Sequence, residues 1–447
     1  MVGLEAVQIY AIIIFLATIA VIILGVIDRA VAAFFGVILM IIFGVMNEIQ
    51  AFTFVDWNVI GILFGIWVIA GYFGKSGIPE VIALKSLKVS GGNLATFIVL
   101  LGVFSAFISM FVDNVVVILM MAPIVLHVTR KLNLNPAPPI LFIALCANFM
   151  GTALLLGDLP PQMLHSVSSI EFLEFIWQFG RPSSFPILLL TFVVVVLFFW
   201  LKFQRMFTNK IINLEFKNEK TGVKDKRFAS IVCLMFFITV FAMALRQFFG
   251  VALGFIAVSG AVMLSLILEV FSKKINKPSF EEILRELDWR AIFFYILLFS
   301  LVGGINNVGI IKMFADMICY WFGKDILTGV TILYWFSAAV CSVVEHDAYI
   351  LTFLYTIKNL AVYHGIEPWP FYWALLWAGT LGSNATVAGA PALYVALNIC
   401  EKEGGKIPLK TFFSYSIPFV TISLIVCYVL TLIFWVLPYT NGGFPCF

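Results

Sequence analysis

Charge is what this sequence has least of. Only 11% of its 447 residues are Asp, Glu, Lys or Arg, while 62% are hydrophobic. Soluble proteins carry about a quarter charged residues. The shortage excludes an ordinary soluble domain and predicts a polytopic membrane protein whose solvent is the bilayer. The net charge of +3 is too small to indicate nucleic-acid binding. Cysteine is sparse as well: there are seven, none in a C-x-x-C pair, and most lie in apolar runs. They support neither a disulfide framework nor a metal site. The sequence holds no H-E-x-x-H, no G-x-S-x-G and no Gly-rich phosphate loop. An enzyme is therefore the last-ranked reading, and no cofactor is expected. With no nucleotide-binding motif, any ATP drive would need a separate ATPase subunit. The first apolar run has no basic leader and no clear cleavage site, so it reads as a first membrane helix and not a removed signal.

The apolar runs carry the organisation. They begin near residues 7, 30, 57, 93, 113, 138 and 184, then near 229, 251, 289, 325, 347, 370 and 416. Seven runs, a polar interval and seven more is the spacing of a duplication. We divide the chain into an N-terminal membrane repeat (1–201), a basic linker (202–228) and a C-terminal inverted repeat (229–447). The register agrees. Val55-Asp56-Trp57 matches Leu287-Asp288-Trp289, Gly77-Ile78 matches Gly309-Ile310, and Phe104-Ser105-Ala106 matches Phe336-Ser337-Ala338. Gly157 matches Gly389, and every pair is 232 residues apart.

Residues 93–129 do not read as two ordinary spans. Asp113 and Asn114 fall between two apolar arms with almost no loop. Charge at membrane depth is tolerated where it lines a cavity. The stretch predicts a re-entrant hairpin with its tip in the 105–114 region, and 326–363 is its repeat. Residues 138–165 and 370–395 are interrupted by Gly, Pro and polar residues and predict discontinuous helices. Each half then has five crossings plus one hairpin. Five is odd, so the halves are inverted. With both termini outside, 22 of the 27 Lys and Arg fall on the inner side, including the linker, as the positive-inside bias requires. The expected location is the cell membrane, with the linker cytoplasmic.

Where helices break, main-chain groups lose their helical partners and can replace an ion's hydration. Half-helix N-termini favour anions and carbonyl ends favour cations. Gly151, Gly157, Gly382 and Gly389 would let main chain approach a ligand. Thr152, Ser383, Asn384 and Thr386 add neutral oxygens and amides. Asp113 with Asn114 adds a charge, Asp158 is either a helix cap or a site residue, and Asn148 either bonds a neighbouring helix or joins the site. Asp56 and Asp288 read as helix caps. In the second half Glu345-His346-Asp347 stands where Asp113-Asn114 stands in the first. A His between two carboxylates titrates near neutral pH, so this trio is the candidate for proton coupling and Asp113 for the transported ion.

These motifs resemble those of the ion transporter superfamily, in the branch holding arsenite/antimonite permeases, sodium/proton antiporters and citrate–metal symporters. The family pattern is Asp-Asn in the hairpin, then Gly-Gly-Thr-Ala-Thr-Leu-Ile-Gly-Asp-Pro-Pro-Asn. Here it reads Asp113-Asn114, then Met150-Gly151-Thr152-Ala153-Leu154-Leu155-Leu156-Gly157-Asp158-Leu159-Pro160-Pro161-Gln162. The second motif, Asn-Leu-Gly-Gly-Asn-Gly-Thr-Leu-Ile-Gly-Ala, reads Thr380-Leu381-Gly382-Ser383-Asn384-Ala385-Thr386-Val387-Ala388-Gly389-Ala390. The departures at Leu154, Gln162, Glu345-His346 and Thr380 favour a family-type sodium site in the first half over one in the second. The resemblance implies an all-α fold of two inverted repeats, secondary transport by an elevator-like movement, and a homodimer as the common assembly. A small inorganic ion exchanged against protons is the favoured cargo, as in arsenite/antimonite efflux or sodium/proton antiport. Citrate, a dicarboxylate or another anion moved by symport is the alternative, and sodium is the alternative coupling ion. Neither motif stretch supplies the Arg or Lys that a carboxylate carrier would be expected to offer. A passive channel is less favoured.

Overall fold

Side-chain caps and Gly/Pro punctuation set where the helices of this chain begin and end. The computed structural model describes residues 5–131, 134–207, 223, 225–270, 275–322, 325–404 and 407–440. The first half runs α1 (Ala6–Leu24), α2 (Arg29–Ile42), α3 (Glu48–Thr53), α4 (Trp57–Lys75), α5 (Ile78–Val89), α6 (Leu94–Ser109), α7 (Asn114–Lys131), α8 (Ala137–Gly151), α9 (Leu159–Ser168) and α10 (Ser184–Met206). A two-residue antiparallel pair, β1 (Trp177–Gln178) and β2 (Arg181–Pro182), lies between α9 and α10. The second half runs α11 (Lys226–Ala244), α12 (Arg246–Phe249), α13 (Leu253–Val270), α14 (Phe280–Glu286), α15 (Trp289–Asn307), α16 (Ile310–Phe322), α17 (Ile326–Cys341), α18 (His346–His364), α19 (Trp369–Ser383), α20 (Pro391–Gly404) and α21 (Leu409–Thr431). Asp28, Asp56, Asn93, Asp158, Asp225, Asp288 and Asp325 each accept a main-chain N–H at a helix start. Each such cap contributes about 1 kcal/mol.

The duplication is visible in the element boundaries. The starts of α3, α4, α5, α6, α7, α8 and α9 recur 232 residues later as the starts of α14 to α20. The turns entering α5 and α16 use Gly77 and Gly309 at φ 77° and 81°, a left-handed conformation that glycine adopts without steric cost. Equivalent helices α4 and α15 run in opposite directions. Phe54, just before α4, fills the space beside Gly303 near the end of α15. Lys75, at the end of α4, pairs with Glu282 at 2.7 Å and Glu286 at 2.5 Å, just before α15. Each also takes a parallel partner from the other half. Gly61 and Gly65 of α4 lie against the main chain of Gly254 and Ala257 in α13, while Gly36 of α2 and Gly304 of α15 lie against Leu301 and Met40.

Among the described residues, seven helices are long and apolar enough to cross a membrane. They are α1, α4, α10, α11, α13, α15 and α21 with its continuation to Thr440. The other expected crossings fall on short elements: α2 has 14 residues, and α8–α9 and α19–α20 are broken. Every residue of α8 is buried, as is α19 from Pro370 onward, whereas α1 is apolar and buries only Ala11, Ile14 and Thr18, as a lipid-facing helix does. The ends of the expected linker are helical, since α10 reaches Met206 and α11 starts at Lys226. Residues 208–222 and 224 lie outside the described ones.

Candidate functional site

Four interruptions of the chain converge: the α6–α7 turn (110–113), the α17–α18 turn (342–345), and the α8–α9 and α19–α20 breaks. Glycines hold them together. A Cβ on Gly157 would collide with the carbonyl oxygens of Ser109 and Gly151, and one on Gly389 with those of Cys341, at 2.6 Å, and Ser383, at 2.5 Å. These contacts are equivalent under the 232-residue shift. Gly382 lies against the Ala338 main chain, and Gly151 against Asp158. The space beside these glycines, which the sequence suggested for a ligand, is thus occupied by protein, most of it main chain. Their part is to seat each break on its hairpin tip. Thr386 acts likewise: its hydroxyl donates to the Ser342 carbonyl at 2.5 Å.

A buried polar chain joins the halves. The Asn114 amide donates to Asn148 Oδ1 at 2.8 Å and to Asp158 Oδ2 at 3.1 Å. Asn148 in turn donates to Ser383 Oγ at 3.0 Å and Asn384 Oδ1 at 3.1 Å. Asn148 is fully buried, and at membrane depth its partners must be protein groups. Thr152 Oγ1, Thr380 Oγ1 and Asn384 Nδ2 are buried beside this chain without a hydrogen-bond partner among the described residues. Buried polar groups are nearly always satisfied, so such a cluster marks where a solute or water bonds.

The charges gather at the same place. Asp113 caps α7, accepting from Val115 N–H at 2.9 Å and Val116 N–H at 3.4 Å. Asp158 caps α9 through Leu159 N–H at 2.9 Å while its other oxygen takes Asn114. It therefore caps α9 and also anchors Asn114 in the buried polar chain. Asp158 and Asp347 lie within electrostatic reach of Asp113. The His346 ring bonds the Gly389 carbonyl through Nδ1 at 3.1 Å, and its Nε2 lies 3.5 Å from Asp347 and 3.9 Å from Asp158. Glu345 pairs with Arg29 Nη1 at 2.7 Å.

A cavity of about 1090 Å³ opens onto these groups. Asp113, Asn114, Asp158, Glu345 and Asp347 line it; Asn148, Ser383, Asn384, Thr152, Thr386, His346 and the four glycines stand behind. Eight of the described lining residues are carboxylates and three are basic. Sequence reasoning missed Arg29 and Tyr295, which also line it. Neither motif stretch supplies a basic side chain, as the sequence showed; Arg29 reaches the cavity from the start of α2, which no motif marks.

Residues 19–378 match the citrate transporter family. Similar proteins include an uncharacterized transporter of Mycobacterium tuberculosis, 24% identical over 412 residues that span 91% of this chain and 93% of that one. A 46 kDa membrane protein of Mycobacterium leprae is 25% identical over 427 residues, 93% of this chain and 96% of that protein. The P protein of Homo sapiens is 23% identical over 498 residues, covering 92% of this chain and 58% of that protein. Among solved structures, the YdaH transporter of Alcanivorax borkumensis shares the fold: 12% identity, TM-score 0.56, 91% of this chain and 90% of that one. With a family match across most of its length, this chain belongs to the citrate transporter family, a branch of the ion transporter superfamily, and is a secondary transporter.

Proposed function

We propose that the carboxylate cluster Asp113–Asp158–Asp347 binds the coupling cation, a proton or sodium, and that the cargo is a small ion held in the adjoining cavity. One observation carries this reading. Three buried carboxylates crowd together beside polar atoms that no group among the described residues satisfies, where breaks from both halves meet. Uncompensated charge at membrane depth costs several kcal/mol. A cation that neutralises the cluster therefore stabilises the occupied carrier. His346, between Asp158 and Asp347, offers a proton-exchanging group in the same cluster.

The movement we propose rests on two inverted repeats, supported by the opposed directions of α4 and α15. In it α6–α7 and α17–α18 are re-entrant hairpins that move with the broken helices, elevator-fashion, against a scaffold of α1–α4 and α11–α15. The cavity mouth carries Lys75 and Arg290, on the side that the basic skew assigns to the cytoplasm. The state described here is then inward-open.

Proteoliposomes with a trapped pH dye and imposed sodium or proton gradients test the coupling. Gradient-driven flux is expected in the wild type, with acceleration by unlabelled substrate on the opposite side, which a channel does not give. Asp113→Asn and Asp347→Asn are each expected to lower it by at least tenfold, since each removes a charge from the cation site. Full gradient-driven flux in both variants would remove the cluster from the coupling step.

A further inference from the structure

The Arg29–Glu345 pair joins two parts of the molecule that the sequence keeps apart. Arg29 is the first residue of α2, and Glu345 is the last residue of a hairpin tip 316 positions later. The guanidinium stacks over the Phe294 ring, 5.0 Å from its centroid, and faces Tyr295, Asp288 and Asp347. Both partners line the cavity and both are mostly shielded, with side-chain exposures of 24% and 12%. The other two basic side chains among the described lining residues are placed differently. Lys75 is taken by Glu282 and Glu286, and Arg290 is 83% exposed at the rim beside Asp28. Arg29 is thus the shielded cation that reaches the carboxylate-bearing tip. A guanidinium presents a planar fork of donors whose geometry fits a carboxylate or other oxyanion. The contact to Glu345 uses Nη1.

We propose that Arg29 is the anion-recognition residue of the cavity, and that Glu345 is its exchangeable partner, displaced when an oxyanion or carboxylate of the substrate takes the guanidinium. This rests on the transport reading above and names the substrate class for it. The cation bound at Asp113, Asp158 and Asp347 offsets the charge that the anion brings. Displacement also cuts the tie between the hairpin tip and α2, so occupancy of the anion site and release of the tip are one event. Two features distinguish this from a structural ion pair. The resident carboxylate competes with the substrate, so neutralising Glu345 strengthens anion binding. Removing Arg29 weakens anion binding without abolishing the cation response.

The test is thermal unfolding of the full chain, purified in detergent, titrated with citrate, succinate, phosphate and arsenate, each with and without sodium and at two pH values. The wild type is expected to be protected by at least one of these anions. Arg29→Gln is expected to lose that protection, and Arg29→Lys to bind the same anion about tenfold more weakly, as expected for a lost charged hydrogen bond. Glu345→Gln is expected to bind it severalfold more tightly. Arg29→Gln/Glu345→Gln, which removes both charges of this pair together, is the fold control and is expected to remain folded and insensitive to the anion. Undiminished protection in Arg29→Gln, or weaker binding in Glu345→Gln, overturns the proposal. If no anion protects the wild type while sodium or acid still does so through Asp113, the anion assignment falls and the cation site stands. If neither sodium nor acid protects, the coupling reading itself fails.

Discussion

Asn148 is the residue through which the two halves speak to each other. It accepts from Asn114 and donates to Ser383 and Asn384, so one amide satisfies groups from α7, α19 and the second break. Removing a buried partner leaves the others with their full desolvation penalty, about 1–3 kcal/mol for each orphaned group. Asn148→Ala is therefore expected to lower the unfolding temperature clearly and to abolish counterflow. Asn148→Asp keeps the acceptor for Asn114 but loses the donor to Asn384 and brings another carboxylate towards Asp158, so it is expected to fold yet transport poorly. Near-normal exchange in Asn148→Ala, measured in proteoliposomes, would show that this bridge is dispensable. The residue under the 232-residue shift is Thr380, whose hydroxyl has no hydrogen-bond partner among the described residues. The site is thus asymmetric although the framework is duplicated, and the polar bridging is done from the first half.

At the scale of elements, the glycines that seat the breaks on the tips make the sharpest prediction. The atoms that a Cβ on Gly157 or Gly389 would strike are main-chain carbonyls, which cannot swing aside like the end of a flexible side chain. Overpacking of this kind costs about 1–3 kcal/mol, released here by pushing a hairpin tip away from its break. Gly157→Ala and Gly389→Ala are expected to reduce transport to a similar extent, because their collisions are equivalent. An unaffected rate in one of them would show that the two seats differ in function. This level of the molecule was the most legible in the sequence. Helix starts are local events set by caps, glycines and prolines, so a duplicated gene carries them at a constant offset. Asp56-Trp57 and Asp288-Trp289 announced α4 and α15, and Asp113-Asn114 announced a hairpin tip. The contact between Arg29 and Glu345 was not legible, because it depends on how α2 is set against the opposite half. The neighbours of the site glycines were not legible for a related reason: sequence shows that main chain can come close, not which main chain does.

At the scale of the whole molecule, a carrier must hold one face shut while the other is open. Asp56, at the start of α4, is 19 residues from the cavity mouth at Lys75, which is about 28 Å along a helix. At that remote end Ser166 of α9 donates to Asp56, and Arg246 of α12 holds Glu171 with two hydrogen bonds, one of them 2.7 Å. Both ties run from the proposed scaffold to the segment around α9, and both side chains of the Arg246–Glu171 pair are largely shielded, with exposures of 21% and 15%. On the alternating-access reading proposed above, they close the face that the cavity does not use. If each contributes about 1–2 kcal/mol to this state, loss of one shifts the balance of states by roughly five- to thirtyfold. Arg246→Gln with Asp56→Asn is therefore expected to populate the state in which the cavity faces the other way. Cysteine placed at Val115, on the cavity wall, in a chain freed of its other cysteines, reports this with a membrane-impermeant thiol reagent added to either side. The unmodified ties predict labelling from the Lys75 side; the double variant predicts that labelling moves to the opposite side while cation protection through Asp113 is kept. Labelling that stays on the Lys75 side in the double variant would show that these contacts hold the fold and do not govern which face is open.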